Sequence, residues 1–321
     1  MLGVPGVRLG EGRVLSAAPL GWGPVSGWKR GLDAAGVLEP GLRRDYGIQR
    51  ELVARFRRTS YLAARALLPG ALLPHVVVAT AVMHHGDNLL DTGSRAHRAD
   101  GWAVWERRVR AALETGRGDD PLLRALVHTV AAHPRLRAAL EEYLVSAPAE
   151  LEFAGFAGED DYQGYVDAYS LPAFMLVGCL LGPDAEDGRY RAACRVFIDG
   201  SQRLDFVHDI AEDLAEGRLG IPAETLERFS VRREDLAAGR VVPGVGELVR
   251  DQVGLAEAAL RQARAVSGLV PASSRPLLEA LVEVELLTAA AVRARGPRVL
   301  RGSVSPSPVA ALGVLLRARV R

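Results

Sequence analysis

Apolar residues recur along most of this chain with the three-to-four-residue spacing of amphipathic helices. Short segments rich in Pro and Gly separate these patterns, and no convincing alternation of apolar and polar residues predicts a strand. The fold class that we predict is therefore all-α. Helices are expected at about 46–67, 71–91, 100–115, 120–132, 135–147, 160–181, 186–217, 222–228, 244–266, 272–294 and 306–319.

The helical pattern begins close to Asp45. Residues 1–45 are rich in Gly and Pro and show little periodicity, so we expect a mostly irregular N-terminal arm, ordered only where it packs on the rest of the protein. Residues 46–321 then form a single helical domain. A chain of 321 residues is long enough for a substantial core. Pro172, inside the helix expected at 160–181, predicts a kink or a broken turn.

The overall charge excludes little except nucleic acid as an obvious partner. Forty basic and 39 acidic residues leave a net charge of +1.

Cys179 and Cys194 lie in apolar helical stretches and are expected to be reduced core residues. We see neither a signal peptide nor a run of about 18 apolar residues that would cross a bilayer. These features predict a cytoplasmic protein without a transmembrane segment.

Two groups of aspartates stand out from this background. Asp87 and Asp91 lie in "MHHGDNLLDTG", and Asp205, Asp209 and Asp213 lie in "QRLDFVHDIAEDLAEG". We call them the first and second acid ladders. Their members are four residues apart, so a helix stacks them on one face, where like charges repel by roughly 0.2–0.5 kcal/mol per pair. Such repulsion, repeated within otherwise apolar helices, indicates that cations lie nearby.

Mg²⁺ is the cation that fits these side chains best. It prefers carboxylate oxygens and completes its coordination shell with water and substrate phosphate. Two ladders that face each other across a helical bundle could hold several Mg²⁺ ions around a diphosphate and help its C–O bond to break. A solvated acidic face paired with nearby arginines is the alternative. A His/carboxylate zinc site is not expected, because His84 and His85 point about 100° apart on a helix.

Four segments together resemble the ordered motifs of the squalene/phytoene synthase family. They are "SYLAARALLP", "HHGDNLLD", "YSLPAFMLVG" and "QRLDFVHDIAEDLAEGRLGIP", and the resemblance covers roughly residues 46–320. The last segment carries most weight, since its Gln, two Asp, Gly-Arg and Pro are all in register. The resemblance implies an isoprenoid-synthase-type helical bundle with a central active-site cavity and Mg²⁺-dependent chemistry on prenyl diphosphates.

The resemblance also implies roles for individual residues. Asp87, Asp91, Asp209 and Asp213 would be the metal-binding or diphosphate-activating carboxylates. In the transfer to a non-prenyl acceptor that we predict below, Asp205 or His208 orients the acceptor or receives its proton. The remaining positions would bind substrate, either along the diphosphate or in the cavity; these are Ser60, His84, Tyr169, Phe174, Gln202 and Arg218.

This chain departs from the family pattern at its two motif arginines. The first motif usually reads Arg-x-x-Asp-Asp-x-x-Asp, but His84 and Asn88 stand here at its first and fifth positions. The second usually reads Asn-x-x-Arg-Asp-x-x-x-Asp, but this chain has Asp205 and His208. Histidine near pH 7 offers less charge and fewer donors than arginine, so two weakened charge-assisted bonds would lower phosphate affinity by roughly two to four decades. His84 and His208 could instead be phosphate donors, or a base for an acceptor proton, or ordinary polar side chains.

The cavity motif differs as well. Phe174 and Met175 stand where the family commonly has two very small residues. If they face the cavity, they shorten it and favour a short prenyl donor or a flat acceptor. They could equally belong to a repacked core.

These departures lead to our functional prediction. It is a Mg²⁺-dependent prenyltransferase that ionises a short allylic diphosphate, such as dimethylallyl diphosphate. The prenyl group passes to an aromatic, carbazole-like acceptor in secondary metabolism. The alternatives are head-to-head condensation to phytoene, squalene or presqualene diphosphate, and a family member without catalysis that serves as a partner subunit.

Overall fold

The computed structural model describes residues 26–185 and 187–320, and within them it contains helices and no strand. The described residues form two compact units, 26–137 and 138–320. The sequence predicted a single domain from residue 46 onward. Helical periodicity shows which face of a helix is buried but not which helices pack together. The sequence pattern therefore could not predict the division into two units.

The first unit is built around an apolar helix that the others surround. Helix α4 (Leu73–Asp91) is buried along most of its length and packs against five other helices of this unit. They are α1 (Ser26–Ala34), α2 (Pro40–Phe56), α3 (Arg58–Leu67), α5 (Arg95–Thr115) and α6 (Pro121–Ala132). The boundary between the units falls inside the next helix, α7 (Arg135–Ser146).

Helix α1 and the start of α2 lie within residues 1–45, which the sequence predicted to be mostly irregular. Burial of Leu32 and Val37 anchors the end of α1 and the turn after it. At the start of α2, the Glu39 carboxylate accepts hydrogen bonds from two backbone N–H groups, and Pro40 supplies a favourable first turn. Residues 1–25 lie outside the described part of the chain.

The second unit packs long helices side by side. Helix α10 (Gly188–His208) lies against α14 (Pro243–Ala263), which in turn lies against α15 (Arg275–Arg295). Gly200 of α10 allows this approach, because a Cβ there would lie 2.9 Å from Leu260 Cγ. The other helices are α8 (Glu159–Tyr165), α9 (Leu171–Leu181), α11 (Ile210–Ala215), α12 (Ala223–Arg228), α13 (Arg233–Ala237) and α16 (Pro308–Val320).

Helix α9 is preceded by a turn of π-helix at Val166–Ser170, where the Leu171 N–H reaches back to the Val166 carbonyl. Pro172 follows at once, which explains the wider turn, because its ring cannot occupy a regular helix interior. The predicted kink or broken turn is observed as this wider π-helical turn, through which the helical run continues. The continuous run Glu159–Leu181 is long and apolar enough to span a bilayer by composition, yet 83% of its most apolar window is buried within the protein, as in a core helix.

Candidate active site

The first acid ladder lies at the C-terminal end of α4. Asp87 is buried, with 3% of its surface exposed, and Asp91 is the last residue of the helix and half-buried. This end carries the negative pole of the helix dipole, which disfavours carboxylates. An acidic pair kept at this position is consistent with a cation-binding role. Ser60 is half-buried on α3, which packs against α4.

His84 precedes Asp87 by one helical turn and is neutral near pH 7. Its ring lies 4.7 Å from that of Phe56, and its Nε2 is 3.1 Å from Asn88 Nδ2. Burial, together with the positive charge of Arg57, lowers the pKa of His84 to about 4. His84 therefore supplies no fixed charge at the position where the related motif has arginine.

The expected helix 186–217 would place the second acid ladder on one continuous helix. The structure instead divides it into two helices. Helix α10 ends at His208, Asp209 adopts φ −102° and ψ 14°, and α11 begins at the next residue. Backbone hydrogen bonds still step by four across the break: Asp209 N–H donates to the Asp205 carbonyl at 2.8 Å, and Asp213 N–H donates to the Asp209 carbonyl at 2.9 Å. The four-residue spacing is thus kept while the helix is interrupted at its middle acid.

His208 lies at this break, and protein groups hold both of its ring nitrogens. Nδ1 contacts the Asp209 carboxylate, and Nε2 contacts the backbone carbonyl of Val304. Burial lowers the pKa of His208, but the hydrogen bond and charge of Asp209, helped by the Val304 carbonyl and Asp205, raise it above its ordinary value overall. Nε2 also accepts a hydrogen bond from the Val304 N–H at 3.0 Å, so it faces both a backbone donor and a backbone acceptor. The Asp209 carboxylate thus favours the charged form of His208, unlike the surroundings of His84.

Asp213 is the acid whose protonation the site perturbs most clearly. Its pKa is raised to about 7, mainly by burial; Arg218 lowers it, and the charges of Asp209, Glu216 and Asp205 raise it further. Near neutral pH this carboxylate binds a proton readily, because it is poorly solvated and has other acids nearby. A divalent cation would relieve the same repulsion.

Arg218 is held in place by a residue that the sequence did not single out. The Glu150 carboxylate is buried and accepts hydrogen bonds from Arg218 Nη1 at 3.2 Å and from the Tyr165 hydroxyl at 2.7 Å. Arg218 Nη2 also binds Glu216. Glu150 lies 68 residues before Arg218 in an ordinary-looking segment. Its acidic character inside an apolar stretch was the only sequence signal available.

Two of the predicted substrate-binding residues are buried beside the π-helical turn. Tyr169 is fully buried, with its ring 5.5 Å from that of Tyr165. Gln202 of α10 accepts a hydrogen bond from Ser170 Oγ at 3.0 Å. Turns of π-helix occur often at functional sites. The π-helical turn thus carries both Tyr169 and Ser170, the hydrogen-bond partner of Gln202.

Phe174 packs in the core of the second unit. Only 2% of its surface is exposed, and its ring lies 5.4 Å from that of Phe197 on α10. Met175 is also buried. This packing favours the repacked-core interpretation of these two residues.

Within residues 26–185 and 187–320, no cluster of three or more His, Cys, Asp or Glu side chains has the geometry of a complete metal site. The carboxylates present nevertheless fit Mg²⁺, which is typically held by one or two acids together with substrate phosphates. The pKa of Asp213 is raised by burial and by neighbouring acids, and a bound cation would favour its charged form against both. The two ladders belong to different units, so their arrangement across a cavity stays a prediction.

Comparison with known protein families agrees with the motifs. The family model described as squalene/phytoene synthase matches residues 53–310. The bifunctional protein CrtB/UppS of Streptomyces coelicolor is 30% identical over 205 residues, which cover 64% of this chain and 36% of that protein. The phytoene synthase of Thermus thermophilus is 34% identical over 93 residues, which cover 29% of this chain and 32% of that protein. The chain thus spans about a third of the length of these two relatives.

Solved structures show the same fold. The squalene synthase HpnC from Alicyclobacillus acidocaldarius superposes with a TM-score of 0.70 at 23% identity, covering 84% of this chain and all of that one. A dehydrosqualene synthase in complex with ligand gives a TM-score of 0.76 at 18% identity, covering 87% of this chain and 96% of that one. These similarities confirm an all-α fold of the isoprenoid synthase type.

Proposed function

The chain belongs to the squalene/phytoene synthase family, and we propose that it condenses two prenyl diphosphates head to head in a Mg²⁺-dependent reaction. The observation that carries this proposal is the second acid ladder, whose step of four persists through a helix break and whose Asp213 has its pKa raised to about 7. The related proteins named as phytoene and squalene synthases support the choice of a second prenyl diphosphate as acceptor.

We assign the metal-binding role to Asp87 and Asp91 in the first unit and to Asp209 and Asp213 in the second. Bound Mg²⁺ would neutralise the leaving diphosphate. The allylic C–O bond breaks and the diphosphate leaves with the electron pair. The allylic carbon then bonds to the second substrate through the electron pair of its C=C bond, and the second substrate loses a proton as the cyclopropyl diphosphate forms. Water must be kept from that carbon, because it would otherwise trap the cation.

The other residues bind and orient the diphosphate in this proposal. Arg218 donates to its oxygens, and Glu150 fixes the direction of the guanidinium. Ser60, His84 and Gln202 add neutral hydrogen bonds. Tyr169 is fully buried against Tyr165, so it would support the site from behind.

A second candidate is transfer of one prenyl group to a non-prenyl, aromatic acceptor. The neutral state of His84 favours it, because the first motif then lacks the permanent charge that would help to hold a second diphosphate. In this candidate Asp205 receives the acceptor proton. His208 is less suited to that role, since Asp209 and Val304 engage both of its ring nitrogens.

Product analysis with Mg²⁺ separates these functions. Farnesyl or geranylgeranyl diphosphate alone is expected to give a C30 or C40 product, or its cyclopropyl diphosphate intermediate. Dimethylallyl or geranyl diphosphate would be offered in parallel, with and without carbazole-like aromatics. Product that forms only when an aromatic is present would replace the first proposal with the second. Absence of any product, together with Mg²⁺ binding that is unchanged in Asp87→Ala and Asp209→Ala, would indicate a non-catalytic subunit.

A further inference from the structure

Arg57 lies at the junction of α2 and α3, beside His84 of α4. Helix α2 ends at Phe56 and α3 begins at Arg58, and the backbone at Arg57 has φ −126° and ψ 45°. Both helices pack against α4. The ring centroids of Phe56 and His84 are 4.7 Å apart, and the positive charge of Arg57 helps to lower the pKa of the same imidazole. The half-buried Arg57 is therefore a close neighbour of His84.

His84 shares a face of α4 with the first acid ladder. At 100° per residue, Asp91 lies within about 20° of His84 around the helix axis, and Asp87 lies within about 60°. The two acids follow His84 along that axis, Asp87 by roughly 5 Å and Asp91 by roughly 10 Å. A phosphate held by Mg²⁺ on this ladder would therefore lie within reach of a cation beside His84. All of these residues belong to the first unit.

The charge of Arg57 matters because His84 supplies none. The pKa of His84 is lowered to about 4, so its ring is neutral near pH 7. The related motif has arginine at this position of α4, and a guanidinium binds phosphate through a planar fork of charged donors. Arg57 brings the same group to the same end of the ladder from a different helix.

We propose that Arg57 supplies the guanidinium that binds a substrate diphosphate at the first acid ladder, in place of the arginine that His84 replaces. This inference rests on the proposed function, because both place a diphosphate at that ladder. The permanent charge has moved from α4 to the junction of α2 and α3. The first ladder then has the charge that one of the two diphosphates requires, which removes the shortage that favoured a non-prenyl acceptor.

Binding of inorganic pyrophosphate with Mg²⁺ to the full chain tests the proposal without turnover. The NMR signal of the His84 imidazole, assigned by its absence in His84→Arg, reports binding at the first ladder alone. Arg57→Gln is expected to weaken this binding on the order of 10- to 100-fold, because a charge-assisted contact is lost. Arg57→Lys keeps a charge without the fork and is expected to lie between Arg57→Gln and the unmodified chain.

A matched control comes from the same helix. Arg44→Gln removes an exposed arginine of α2, roughly 20 Å from Arg57 along the helix axis, and is expected to bind pyrophosphate like the unmodified chain. The same spectra give the pKa of His84. Because the charge of Arg57 lowers that pKa, Arg57→Gln is expected to raise it, whereas Arg44→Gln is not.

A second substitution tests whether the charge can be moved back. In R57Q/H84R the guanidinium stands on α4, as in the related motif, and calorimetry is expected to show that pyrophosphate binding is regained to within a few-fold of the unmodified chain. A side chain that served only to hold α2 against α3 would not be replaced in this way. Thermal melting of each variant separates loss of binding from loss of folding.

The proposal is overturned if Arg57→Gln binds pyrophosphate as tightly as Arg44→Gln does, or if the pKa of His84 does not change in Arg57→Gln. It is also overturned if R57Q/H84R melts like the unmodified chain but regains no binding. Formation of a C30 or C40 product with the same KM in Arg57→Gln would refute this inference and leave the proposed function standing. Loss of pyrophosphate binding in Arg57→Gln, in a chain that gives no head-to-head product, would refute the proposed function alone.

Discussion

The imidazole of His208, the last residue of α10, is hydrogen-bonded to the carboxylate of Asp209, the residue that follows it. Because the same ring also contacts Val304, one side chain joins the helix break to the segment between residues 302 and 307. This pairing raises the pKa of His208 and fixes the middle acid of the second ladder. The contacts of His208 therefore join the protonation of its ring to the backbone conformation at the helix break and at Val304.

Removal of this imidazole is expected to loosen the segment that it holds. His208→Ala leaves Asp209 and the Val304 carbonyl without their partner and should lower the free energy of unfolding by about 1–3 kcal/mol. Hydrogen exchange is expected to accelerate near Val304. His208→Arg should restore part of the stability, because it places a positive charge beside the Asp209 carboxylate. Unchanged exchange in His208→Ala would contradict the structural role.

Substitution of the ladder acids is expected to abolish most activity without unfolding the chain. Asp87→Asn and Asp209→Asn should each lower kcat/KM on the order of 10²–10³-fold, since each removes a proposed Mg²⁺ ligand. Glu141→Gln, at an exposed acid on α7, is the control and should retain full activity. Steady-state kinetics at several Mg²⁺ concentrations measure the effect. Equal activity of the ladder variants and the control would refute the assignment.

Glu150 is expected to act as a positioning residue for Arg218. Glu150→Gln removes the charge that holds the guanidinium and should raise the KM for the diphosphate substrate about tenfold, with a smaller change in kcat. Tyr165→Phe keeps the ring but removes the hydroxyl bond to Glu150, so a weaker effect of the same kind is expected. A loss confined to thermal stability would show that Glu150 serves folding alone.

His75 is expected to make the first unit acid-sensitive. Burial lowers its pKa to about 3, with help from the nearby His133 and His128, whereas the unfolded chain has a value near 6.5. Stability from the neutral ring is thus complete above pH 6.5 and is lost as the pH falls towards 3. About 2 kcal/mol should be lost between pH 7 and pH 5. Urea unfolding of His75→Gln should show a flatter pH dependence, unlike the exposed-site control His97→Gln.

Two glycine substitutions are expected to have opposite signs. Gly200→Ala places a methyl group against Leu260 and the Ala256 carbonyl, and overpacking of this kind typically costs about 1–3 kcal/mol. Gly254→Ala, within α14, meets no atom within 4 Å and should stabilise the helix by up to about 1 kcal/mol. Thermal melting measures both. An equal response at the two positions would contradict the close packing of α10 on α14.

The helices themselves were largely predictable. The expected helix at 71–91 is observed as Leu73–Asp91, and the one at 272–294 as Arg275–Arg295. Apolar periodicity and Pro or Gly breaks are local properties, so they can be read without knowledge of the packing. The break at Asp209 carries no Pro or Gly, and for that reason the pattern ran through it.

The sequence by itself determined the all-α class, the family and the step of four between the acids, because these depend on the order and spacing of residues. Tertiary structure decided how each of those residues behaves. His84 and His208 replace the same type of residue, yet burial near Arg57 lowers the pKa of one while Asp209 raises that of the other. The fold alone brings the Glu150 carboxylate, 68 residues away in sequence, into hydrogen-bond contact with Arg218. Burial and long-range partners set charge, and neither is visible in a linear pattern.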